Sequence, residues 1–138
     1  MSIVQTQCTS FKKELYQGIH DLSTDTIKMA LYTANASLGA DTTVYSATNE
    51  VVASGYTAGG NTLTGVAINS LDYTAYVNWA NTSWTAALTA RCALLYNASK
   101  ANRAIAVIDF GADKTSTTTF LVTMPANTST TALIRSSN

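Results

Sequence analysis

The chain has 138 residues, 46% of them apolar and only 12% charged, and its eight basic and eight acidic side chains cancel. That length gives one domain, 1–138, with a core large enough to hold without disulfide staples. The basic residues Lys12, Lys13, Lys28, Arg91, Lys100, Arg103, Lys114 and Arg135 are scattered, so direct nucleic-acid and membrane partners, which need a Lys/Arg field, are not expected.

Residues 1–8 lack the basic start and apolar run of a signal peptide, which predicts synthesis and folding in a cytosol. No stretch approaches the roughly 20 apolar residues that span a bilayer. Ser10 is placed to cap a short helix with Phe11, Leu15 and Ile19 on one face, Lys12, Lys13 and Glu14 on the other, and Gly18 at its end. Residues 26–33 read as a strand in which Ile27, Met29 and Leu31 oppose Lys28, Ala30 and Tyr32. Residues 35–56 hold small polar side chains with Val44, Tyr45, Val51 and Val52 as anchors. They read as a long ordered connection with a turn of helix or a short edge strand.

Gly59-Gly60-Asn61 signals a turn before a strand at 62–68. Residues 73–79 alternate as a half-buried strand. Residues 88–96 and 104–110, joined by a short polar connection, form the clearest hairpin. Phe120, Val122 and Met124 mark a strand that Pro125 ends, and 132–135 adds a weaker one. Seven or eight short strands rich in Thr, Val, Ile and Tyr predict an all-β fold. A jelly-roll-like or related antiparallel β-sandwich with one short N-terminal helix is the expected form. The polar ends, 1–9 and 127–138, are candidates for extended arms that order on a neighbour.

The chemistry is sparse. His20 precedes Asp21, yet no nucleophile or metal partner is spaced around it, and a polar residue at a helix exit is the preferred reading. Cys8 and Cys92 form no metal signature, and Cys92 is better read as a small buried hydrophobe than as half of a disulfide. Gly55-Tyr-Thr-Ala-Gly-Gly60 and Gly111-Ala-Asp-Lys-Thr115 lack the spacing of a phosphate loop and read as turns. Glu50, Asp72, Asp109 and Asp113 are the remaining acid/base candidates, without a spacing that pairs them. Tyr73, Tyr76, Trp79 and Trp84 could stack on sugars or bases, but packing or subunit contact is the preferred reading. No catalytic residue, cofactor or metal site is therefore expected. The candidate interaction surface is Val44, Tyr45, Val51, Tyr56 and Trp84.

The segments Phe11-Lys-Lys-Glu-Leu15, Thr26-Ile-Lys-Met-Ala-Leu-Tyr-Thr33, Thr48-Asn-Glu-Val51 and Gly55-Tyr-Thr-Ala-Gly-Gly60 resemble a family of small virion proteins of tailed bacteriophages. The later strands around 90–96 and 104–109 are similar too, so the resemblance covers most of the chain. It implies a non-enzymatic virion structural protein, foremost a capsid cement or decoration protein on the outer capsid surface. Its partners would be the major capsid protein and further copies of itself, as a dimer or trimer. The alternative is a tail or head-fibre component or a host-glycan-binding module. The family brings no catalytic residues to carry over.

Overall fold

The computed structural model describes residues 2–137. Its elements are β1 (Thr6–Gln7), α1 (Thr9–Tyr16), β2 (Ile27–Tyr32), β3 (Asn61–Thr62), β4 (Ala67–Leu71), β5 (Thr74–Asn78), β6 (Thr82–Trp84), β7 (Thr89–Asn97), β8 (Arg103–Thr115), β9 (Phe120–Val122) and β10 (Ile134–Ser137). The fold is all-β, with antiparallel sheets and one short helix near the N-terminus. The sheets run β1-β8-β7-β2-β3, β10-β5-β4 and β6-β9. This division into five, three and two strands differs from the eight strands in two Greek keys of a jelly roll.

The expected hairpin is the spine of the largest sheet. β7 and β8 pair from Asn97↔Arg103 to Thr89↔Thr115, with register shifts after Ala90 and after Leu95. β2 lies on the far side of β7, with Ile27 opposite Asn97 and Tyr32 opposite Cys92. The alternation read in β2 is real, but both of its faces are buried. The second face is covered by the long connection 33–60, so Ala30 and Tyr32 are as enclosed as Met29 and Leu31. Ordered connection is the right description of that segment. It holds neither helix nor ladder, only single bridges such as Val44↔Arg103 and Tyr32↔Glu50.

The helix departs from its expected pattern. Cys8, not Ser10, is the N-cap, and no side chain caps the end. Phe11 is fully buried, Leu15 is 39% exposed, and Glu14 is buried where a solvated face was expected. A stripe at i, i+4, i+8 describes the apolar side of a helix packed by its own amphipathicity. Here the helix is held by Phe11 in the core together with an ionic contact of Glu14 described below.

The two ends are woven into the sheets. Thr6 and Gln7 pair with Val107 and Ala106 of β8, and Ile134–Ser137 pairs with β5. Gln7 Nε2 then donates to the Arg135 carbonyl at 2.7 Å, joining the two ends directly. Residues 2–7 are tied to the body by backbone bonds at Ser2, Val4, Thr6 and Gln7, and near the other end Ala132 and Ile134 are buried.

Leu94 is fully buried in the middle of β7, whereas Val52 is 97% exposed. Leu94→Ala should cost about 2–5 kcal/mol by removing packed methyl groups and leaving a cavity. Val52→Ala should stay within about 0.5 kcal/mol. Denaturant unfolding of the two variants, read against the parent, checks both.

Candidate functional site

Three of the five residues expected to form an interaction surface face inward. Val51, Tyr56 and Trp84 are 5%, 8% and 4% exposed. Tyr45 is half-buried, and only Val44 stands open to solvent. The residue that alternates outward in this stretch is Val52, next to the buried Val51. For Tyr56 the physical reason is one carboxylate. Glu50, itself buried, accepts the Tyr45 hydroxyl on Oε1 at 2.6 Å. Its Oε2 takes the Tyr56 hydroxyl at 2.5 Å and the Gly59 N–H at 2.8 Å.

Around this carboxylate the polar tips of four tyrosines converge. The Tyr56 oxygen accepts the Leu31 N–H at 2.9 Å, which fixes the connection to β2. The Tyr96 hydroxyl donates to the Gly59 carbonyl at 2.6 Å, and the Tyr32 hydroxyl to the Ser46 carbonyl at 2.7 Å. The Tyr45 ring stacks on Tyr96 with centroids 4.7 Å apart. Trp84 leans on Tyr56 and Phe120, and its buried Nε1–H has no hydrogen-bond partner among the described residues. Burial and the nearby Glu50 carboxylate raise the Tyr96 hydroxyl to about 12 and push Tyr32, Tyr45 and Tyr56 upward as well.

The glycines at the end of this segment serve the same lock. Gly60 has φ +79, and a Cβ there would lie 1.8 Å from the Met29 carbonyl oxygen. Gly60 is thus required for close backbone approach to β2. Glu50 was visible in the sequence as an isolated acid. What was missed is its spacing to Tyr45 and Tyr56, which brings two donors from the same connection onto one carboxylate.

A second buried chain of polar groups surrounds His20. Its Nε2 lies 2.8 Å from Glu14 Oε1, and Nδ1 lies 3.0 Å from Asn97 Nδ2. Asn97 gives its other amide hydrogen to Asp25 at 2.8 Å and accepts the Ser99 N–H on its oxygen. Nδ1 must therefore accept, and Nε2 carries the hydrogen donated to Glu14. Arg103 binds the other Glu14 oxygen at 3.0 Å, and Lys100 binds Asp25 at 2.9 Å. Burial works against ionised Asp25, but Asn97, the Asp21 N–H and Lys100 outweigh it and hold the carboxyl down at about 2. No spacing rule could have revealed this chain, because its members come from α1, the α1–β2 connection and the facing ends of β7 and β8 with their turn.

The imidazole has a carboxylate on one side and an amide on the other, as in a catalytic triad, but both ring nitrogens are already engaged within the fold. Asp109 is likewise occupied, by Arg91 at 3.2 Å and by the Gly111 N–H at 2.8 Å. Cys8 and Cys92 are separate buried thiols, and burial pushes both to about 11. Among the described residues no three His, Cys, Asp or Glu side chains gather as metal ligands, and no helix is long and apolar enough to cross a membrane. The aromatic group is also divided. Trp79 and Trp84 are buried, while Tyr73 at 83% exposure stands apart at the β4–β5 turn and Tyr76 is half-buried.

Open clefts also mark the surface, among them two large ones. One of about 940 Å³ lies between α1 and the β10-β5-β4 sheet, with Leu15, Tyr16, Ile68 and Tyr76 on its walls. The other, about 630 Å³, is lined by Phe110, Phe120, Leu121 and Met124, with Lys114 beside them.

Glu50→Ala strips the acceptor from three buried donors and should destabilise by about 3 kcal/mol or more. Glu50→Gln should cost less. Its oxygen can keep the Tyr56 and Gly59 donors while its amide nitrogen faces the Tyr45 hydroxyl, which can rotate to accept. Denaturation midpoints of the two variants test the order. The tyrosines give a pH dependence of defined sign. Their protonated forms are favoured by folding, so the stabilisation is complete below the ordinary value of 10 and is lost as pH rises through about 12. Thermal unfolding followed across that alkaline range should show it. Comparison with protein-family models, curated proteins and solved structures returned no match.

Proposed function

We propose that this chain is a non-enzymatic structural protein of a tailed-bacteriophage virion, a capsid cement or decoration protein. In this reading it binds the outer surface of the assembled major capsid protein lattice and stabilises it, after synthesis in the host cytoplasm. The observation that carries the reading is the use made of the four segments that resemble the virion family. Their distinctive side chains are spent on holding the fold together: Glu14 on His20 and Arg103, Tyr32 on Ser46, Glu50 on Tyr45, Tyr56 and Gly59. Residues used in this way build a rigid body, and two of the titratable groups weighed as catalytic, His20 and Glu50, have their polar atoms filled by the protein itself. No cofactor enters this reading.

A cement protein acts by linkage. It binds the assembled lattice in preference to free subunits, so occupancy shifts the balance toward the intact particle. Modest contacts repeated over many copies suffice for this. A glycan-binding fibre module has less support, because it loses Trp79 and Trp84 to the interior and keeps only Tyr73 and part of Tyr76 at the surface.

Quantitative mass spectrometry of purified particles should give this chain at a one-to-one ratio with the major capsid protein or at a simple fraction of it. Particles lacking it should assemble and then break at a lower temperature. A handful of copies per particle, or equal heat resistance with and without the protein, overturns the proposal.

A further inference from the structure

The sheets of this protein end in several edges, and nearly all are closed off. β1 and β3 are two residues long, and β6 and β9 three. Short edges give a foreign strand little to pair with. β10 is capped by Gln7, whose amide takes the Arg135 carbonyl, and it carries the Arg135 charge. The outer part of β8 is guarded more heavily. Gln5 takes the Asp109 N–H at 3.0 Å, and the Asp109 carboxylate takes the Gly111 N–H. The register shift opposite Ala90–Cys92 then breaks the ladder, where Asp113 and Lys114 add charge. Side-chain caps, irregularity and charge are the devices that keep an edge from pairing.

β4 has none of them. It is the last strand of the β10-β5-β4 sheet and pairs on one side only, with β5. Its five residues, Ala67-Ile-Asn-Ser-Leu71, include no charge, proline or glycine. No side chain or loop among the described residues bonds to its backbone from the open side. Ile68 and Leu71 are 52% and 54% exposed.

We propose that β4 is the self-association surface of this protein, pairing antiparallel with β4 of a second copy about a two-fold axis at Asn69. An antiparallel pair must place side chains of the same face opposite each other. Centring on Asn69 satisfies that rule and uses all five residues. Ile68 then faces Ser70 of the second copy, Ala67 faces its Leu71, and the two Asn69 amides meet on the axis. Small stands opposite large in the Ala–Leu pair, and an uncharged strand sets no like charges against each other. The isologous contact closes after two copies. Head-to-tail pairing of β4 with β10 is disfavoured by the Gln7 cap on β10. The product is one continuous sheet, β10-β5-β4 followed by the same strands of the partner in reverse. A single strand pair buries less than a standard interface of about 1,600 Å², so the dimer should dissociate reversibly in the micromolar range or above. The inference stands apart from the virion proposal, since a protein absent from particles could still dimerise this way.

Sedimentation velocity of the full chain, from micromolar to millimolar, should show a reversible monomer–dimer equilibrium. Ile68→Lys puts a like charge near the axis in both copies. It should weaken the dimer about tenfold or more while leaving circular dichroism and the melting temperature of the monomer unchanged. Asn69→Cys should form an intersubunit disulfide on mild oxidation, because residues opposed on the axis sit within disulfide reach. Ser70→Cys should not, being two residues out of step with its own copy. The native Cys8 and Cys92 are buried and do not interfere. A monomer throughout the series overturns the proposal. So does a dimer indifferent to Ile68→Lys, or one in which Ser70→Cys cross-links as readily as Asn69→Cys.

Discussion

A buried carboxylate is expensive to desolvate, and it is kept only where both of its oxygens are hydrogen-bonded. Glu50 meets that condition with two tyrosine hydroxyls and a backbone N–H. The connection between β2 and β3 has no ladder of its own; single backbone bonds, such as Val51 N–H to the Leu31 carbonyl and Tyr45 N–H to the Asn102 carbonyl, hold it together with this carboxylate. Because Tyr56 also takes the Leu31 N–H, the carboxylate acts on the main chain of β2 as well as on side chains. The second buried face of the large sheet depends on that arrangement.

The His20 chain does comparable work on the opposite flank. An eight-residue helix is too short to hold its shape alone in water. Glu14 joins it to Arg103 at the start of β8, and His20 continues the link through Asn97 to Asp25 and Lys100. The helix exit, the approach to β2 and the β7–β8 turn are thereby set against one another. Glu14, Asp25, Glu50, Lys100 and Arg103 are thus used as internal fixings.

The strands were legible where the sequence alternates over a long run, as in β2, β7 and β8, since burial of side chains at a period of two is a local signal. The extra burial of Ala30 and Tyr32 was not, because it is imposed by a segment with no periodicity. The interaction surface was misplaced for the same reason. Tyr56 and Trp84 look like contacts on a polar chain, but their rings are enclosed by residues far away in sequence. Glu14 was read as solvated because its partner Arg103 lies 89 positions later. Single-sequence reasoning finds periodic faces and misses ion pairs closed by topology.

The Gln7–Arg135 contact spans 128 positions. β1 needs β8 and β10 needs β5, so both outermost strands complete sheets nucleated elsewhere in the chain. During synthesis, residues 6 and 7 must wait until 134–137 have left the ribosome before their surroundings are complete. Wiring of this kind has high contact order, which slows folding. The finishing contacts form late, and the β7–β8 hairpin, local in sequence, is available to begin the process.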